Sequence, residues 1–156
     1  MKQSGLLNAI LRTGLLAGTL DILAAILILA KGNAVGTLKF IASGIFGKEA
    51  FSGGYGMVVL GGLFHFFIAT SFAAIYFLAY PRLPFLNKSK WISGMLYGVF
   101  VWAVMNLVVV PLSNVAQRPF AWDAALKNMA ILAVCIGLPI AFLADQFYSQ
   151  SEKTNA

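Results

Sequence analysis

The residues that could do chemistry in this chain are few. His65 is the only histidine. It sits in GMVVLGGLFHFFIATSFAAIYFLAY, residues 56–80, a run with no Asp, Glu, Lys or Arg. Asp21 interrupts a second apolar run, GLLAGTLDILAAILILA, residues 14–30. An ionisable group inside such a run is costly, about 2.5–3.5 kcal/mol for Asp at mid-helix. Asp21 lies seven positions into its run, and His65 nine into its own, which enters from the opposite side. At helical rise these depths are roughly 10 and 14 Å, so a carboxylate and an imidazole come to nearly one level. They could form a hydrogen-bonded pair. Asn106 lies further toward the end of a third run. Tyr76, eleven positions after His65, is placed on the same helix face. Asp21, His65, Asn106 and Tyr76 form the candidate polar site. It suits a proton relay or ligand site, or a set of neutral hydrogen bonds that only fixes helix register.

Other chemistry finds no support. One His and one Cys cannot build a standard zinc site. There is no Gly-rich phosphate loop and no Ser-His-Asp pattern. Glu49, Asp123, Asp145 and Glu152 are read as loop or helix-end residues, with Asp123 as an N-cap. The expectation is a non-enzyme with no catalytic residue, no metal and no cofactor. Regularly spaced arginines are absent from the runs, which excludes a voltage sensor. Cys135 reads as a small buried hydrophobe.

The elements that must position these groups follow from composition. The 156 residues are 60% hydrophobic and 10% charged, against about 25% charged in soluble domains. Unbroken apolar runs favour helices over a barrel, whose strands would alternate. The expected fold is all-α, a single domain over 1–156. It is an integral membrane four-helix bundle with spans at about 14–30, 56–80, 91–110 and 122–147. A short interfacial or re-entrant segment is expected between the first two spans, where Leu38, Ile41 and Ile45 recur at helical spacing. Residues 149–156 are expected to be disordered. Pro139, next to Gly137, should kink the last helix. Tyr55, Tyr80, Trp91, Trp122 and Tyr148 mark helix ends.

Small residues predict the packing faces. Gly14 and Gly18 stand four apart before Asp21, Gly94 and Gly98 four apart before Asn106, and Gly61 four before His65. Gly137 continues an alanine stripe in the last helix. The net charge is +6, but the basic residues are scattered between the runs, so nucleic acid is not an expected partner. The bilayer is, together with a homo-oligomer or a membrane partner protein. Four spans put both termini on one side. Arg82, Lys88 and Lys90, in the short 81–90 loop, favour the cytoplasm for that side.

The strings GLLAGTLDILAA, FIASGIFGKEAFSGG, LGGLFHFFIATSFAAIYFLA, MLYGVFVWAVMNLVVVPLS and IGLPIAF resemble a group of small, uncharacterised bacterial four-helix membrane proteins. More remotely, they are similar to the YagU-like inner-membrane proteins. The resemblance covers most of residues 11–144. It implies a four-span inner-membrane protein and no activity; a role in acid tolerance attaches only to the remoter relatives. It further implies a second histidine early in the last helix of many relatives. Here that region reads LKNMAILAVC, which weakens a metal or haem reading. Two functions remain. One is a small proton-linked transporter or permeation unit using Asp21 and His65. The other is a structural or partner-binding membrane protein.

Overall fold

The computed structural model describes residues 3–116 and 121–155, with side chains described from residue 5 to 151. Lys2 and Arg118 lie outside the described residues. Four long helices carry the fold. The first, α1, is Gln3–Ala24 continued by a π-helical turn, Ala25–Leu29. Two short helices follow, α2 (Ala34–Phe46) and α3 (Glu49–Ser52). Then come α4 (Tyr55–Ala79) and α5, which is Lys90–Val104, a π-helical turn Met105–Val109, and Val110–Leu112. The last, α6, joins Trp122–Leu132, a π-helical turn Ala133–Gly137, and Leu138–Asn155. No strand occurs among the described residues. The four long helices are long and apolar enough to cross a membrane.

Glycine sets how these helices meet. A Cβ on Gly14 would strike the Thr70 backbone, and one on Gly18 would press on Phe66 and Ala69. Rising numbers on α1 therefore meet falling numbers on α4, and the pair is antiparallel. On the other side of the bundle, a Cβ on Gly137 would lie 2.1 Å from the Gly94 carbonyl oxygen and 2.7 Å from the Gly98 nitrogen. Here α5 and α6 touch backbone to backbone, which only paired glycines permit. Large apolar side chains face outward instead, among them Leu27, Phe67 and Leu107.

The sequence departs from expectation in four places. The α1 helix begins at Gln3 rather than residue 14, because its polar lead is still helix-compatible. The tail is not irregular: α6 continues to Asn155. It carries no Gly or Pro after Pro139 to stop it. Asp123 is not the N-cap of α6. Ala121 is, and Asp123 sits in the first turn, 3.7 Å from Lys127 at i+4. α5 runs past the expected end near residue 110, through Pro111 to Leu112.

The two prolines act through the π turns instead. A helical proline lacks an N–H and crowds the carbonyl four residues back. For Pro111 that residue is Leu107, inside the turn 105–109. For Pro139 it is Cys135, inside 133–137. Each helix widens about one turn before its proline.

The α2–α3 hairpin is locked against α4. A Cβ on Gly61 would lie 1.9 Å from the Leu38 carbonyl oxygen. The Lys39 ammonium donates to the carbonyls of Phe51 (3.0 Å) and Gly53 (2.6 Å), satisfying the end of α3. The Asn114 side chain donates to the Ile45 carbonyl at 2.7 Å, tying the end of α5 to the end of α2. Gly47 turns the chain between α2 and α3 at φ 56°, a value that glycine adopts without strain.

Candidate functional site

Asp21, His65, Asn106 and Asn128 approach one level from four different helices. Counted from the helix ends remote from the termini, Asp21 is eight residues before Leu29 and His65 ten after Tyr55. Asn106 is six before Leu112 and Asn128 six after Trp122. At helical rise all four lie roughly 9–15 Å from that end. They line one groove of about 710 Å³, open along one side. Asn33 and Thr37, at the start of α2, carry polar lining toward its end. The rest of the wall is apolar, with Ile22, Phe40, Phe51 and Ile131 prominent.

His65 does not pair with Asp21 by a hydrogen bond. Its Nε2 lies 2.7 Å from the Gly18 carbonyl oxygen. A carbonyl only accepts, so Nε2 carries the proton and Nδ1 is left to accept one. Gly18 permits this approach because no side chain intervenes; the same absence lets α4 close on α1. Among the described residues Asp21 makes no hydrogen bond or ion pair, and it stays within electrostatic reach of His65. Cys135, on the π turn of α6, is within electrostatic reach of Asp21. Asn106 donates to the Trp102 carbonyl at 2.9 Å, which orients its amide on α5.

The π turns gather here. Ala25 and Leu29 of the first line the groove, as do Met105 and Asn106 of the second. Leu132, also lining, abuts the third. A π turn shifts the face a helix presents and loosens its carbonyl ladder, and such turns cluster at functional sites.

Tyr76 is elsewhere. It donates to Ser93 Oγ at 3.0 Å and packs edge-on against Tyr97, ring centroids 4.7 Å apart. Eleven residues carry it roughly 16 Å along α4 from His65, into the half of the bundle nearer the termini. That half is closed. Tyr97 donates to the Phe72 carbonyl (2.6 Å) and Tyr148 to the Phe77 carbonyl (2.7 Å). Tyr80 donates to Asp145 at 2.9 Å and stacks on Tyr148 at 5.0 Å. Lys90 completes the set, 3.3 Å from Asp145. Asp145 is thus a bridging residue within α6, and not a solvated helix end.

The groove residues that the sequence reading passed over are Asn33, Thr37 and Asn128. Asn128 had a visible signal, a polar residue one turn into an apolar helix. Asn33 and Thr37 had none, since the folding back of α2 brings them in. Among the described residues no three His, Cys, Asp or Glu side chains gather as a metal site would need. Gly14, Gly18, Gly61, Gly94, Gly98 and Gly137 are all at helix contacts within the chain. No protein-family model, curated protein or solved structure matches this chain.

Proposed function

We propose that this protein is a four-span bacterial inner-membrane protein of the small four-helix group it resembles, and that it is a proton-linked transporter or permeation unit. Asp21 and His65 are its working groups. The observation that carries this reading is their placement on the wall of an open groove, unpaired with each other, from two helices. A scaffold would keep such groups paired and dry, because a buried ionisable group without a partner costs stability. A relay needs them reachable by water and by each other's field.

The proton path uses both. Nε2 of His65 is held by the Gly18 carbonyl, so Nδ1 is the atom that takes up and returns a proton. Asp21 lies within its electrostatic reach. Asn106 and Asn128 offer neutral groups to hydrogen-bond water or a solute. The α2–α3 hairpin, folded onto α4 at Gly61, is the re-entrant element of this arrangement and walls the groove with Phe40 and Phe51. Both termini lie on the cytoplasmic side, and the polar residues Asn33 and Thr37 lead toward the other side.

The partner-binding alternative finds less support. Of its two docking surfaces, the small-residue stripes and the 31–55 segment, the stripes are filled by the chain's own helices. Proteoliposomes test the choice. With an imposed pH gradient, wild-type protein should carry proton flux, and Asp21→Asn and His65→Ala should each reduce it at least tenfold. Equal flux in all three would refute the transport reading. A companion measurement uses NMR of the single labelled imidazole, which needs no assignment. Its resonances should move when Asp21 is neutralised.

A further inference from the structure

We propose that the groove binds a lipophilic organic monocation, an ammonium or phosphonium group carried on an apolar body, with Asp21 as its counter-charge. The inference rests on the reading of the groove above and names what enters it. Among the described residues Asp21 is the only acid on the wall, and no Lys or Arg lines it. An anion therefore meets a carboxylate, with His65 as the one described lining group able to carry a positive charge. An inorganic divalent ion would need several oxygen donors to replace its water shell. The wall offers one carboxylate, a few amides and hydrocarbon. An organic monocation asks for what is present: one negative charge and apolar contact area. Phe40 and Phe51 add aromatic rings to the same wall, and an aromatic face attracts a cation. The volume of about 710 Å³ lies in the range of pockets that hold drug-sized molecules.

The same carboxylate cannot serve a proton and the cation at once. A protonated Asp21 that takes up the cation must release its proton, so one positive charge replaces another. The groups that face Asp21 set the balance. From α4 this is His65, and from α6 it is Cys135. The lining from α2 and α5 is uncharged. A charged His65 disfavours the cation and a neutral one admits it, which couples loading to pH.

The test uses the full chain in zwitterionic nanodiscs, with empty nanodiscs subtracted. The probes are tetraphenylphosphonium and tetraphenylborate, alike in shape and opposite in charge. Calorimetry should show the cation binding at least tenfold tighter than the anion. Its affinity should fall at acidic pH, with proton release on binding in weak buffer. Asp21→Asn should lose at least tenfold for the cation and nothing for the anion. Asp21→Glu, which keeps the charge, should retain charge preference and serves if the asparagine variant does not fold. Equal binding of the two probes to wild type would overturn the proposal whatever the variants do. Asp21-dependent proton flux without cation preference would overturn this substrate class and leave the proton-linked reading standing. Asp21-dependent cation binding without proton flux would keep the site and remove the transport.

Discussion

The two halves of this bundle handle polarity in opposite ways. Toward the termini, four tyrosines and one aspartate are paired off: Tyr76 with Ser93, Tyr97 with Phe72, Tyr148 with Phe77, and Asp145 with both Tyr80 and Lys90. Each hydroxyl has a named acceptor and each ring a packed neighbour. In the other half, Asp21 has no hydrogen-bond partner among the described residues, and Asn128 and Asn106 stand on an open wall. The helices differ accordingly. Three of the four long helices carry a π-helical turn lining or abutting the groove, while α4 stays α-helical throughout. The difference teaches where to look for function. Polar groups that are all satisfied rigidify a structure. Groups left facing a cavity, at a cost the rest of the fold must offset, are the ones available for binding.

The strongest way to break the comparison is to destroy both halves together. Gly137 sits between them, where α5 and α6 touch. In Gly137→Ala the new Cβ meets backbone at Gly94 and Gly98, which cannot rotate away as a side chain can. We expect a loss of about 3 kcal/mol or more, read as a lowered unfolding midpoint in detergent. Gly62→Ala is the control. Nothing lies within 4 Å of its Cβ, and helix propensity alone should make it neutral or stabilising by up to about 1 kcal/mol.

Asp21→Asn separates the halves by function. It should remove proton flux at least tenfold while leaving the unfolding midpoint unchanged or raised, because a costly charge is gone and no ion pair is broken. Tyr97→Phe should do the reverse. It leaves the edge-on ring contact with Tyr76 and deletes a buried hydroxyl, so the Phe72 carbonyl loses one donor. The expected cost is about 1–2 kcal/mol in stability, with flux unchanged. If Tyr97→Phe abolished flux at full stability, the closed half would belong to the pathway and the comparison would fail.

Much of this was legible in the residues, for reasons that can be stated. Apolar runs of helix length report on themselves, and Gly-x-x-x-Gly spacing names a face without naming its partner. Thus Gly94 and Gly98 could be marked as a packing stripe, while their meeting with Gly137 required the folded chain. Asp21 and His65 share a level because rise per residue is fixed. Tyr76 shares a face with His65, but eleven residues of rise carry it away from the groove to Ser93 and Tyr97. Asp145 was misread because its position near a predicted helix end said nothing of Tyr80, sixty-five residues away. Two of the three π turns stand just before a proline, Pro111 or Pro139, and the turn at 25–29 has no such marker in the sequence. Asn33 and Thr37 reach the groove only because α2 folds back onto Gly61.

The smallest expected effect sharpens the comparison at its edge. Lys90 and Asp145 are partly exposed, with side-chain exposures of 43% and 28%. Lys90→Gln removes one of two partners of Asp145 and leaves the Tyr80 hydroxyl in place. A pair at this exposure contributes little after solvent screening, about 0–1 kcal/mol. Lys90 also lies 5.1 Å from the Phe142 ring, a contact glutamine reproduces only in its apolar stem. The unfolding midpoint should therefore drop slightly in low salt, and the difference should shrink as salt is added. Tyr80→Phe, by contrast, removes a part-buried donor to the same carboxylate and should cost more, with little response to salt. If the lysine variant proved the worse of the two, charge rather than the tyrosine hydroxyls would be closing this half. The contrast with the groove would then be one of ion pairing instead of hydrogen bonding.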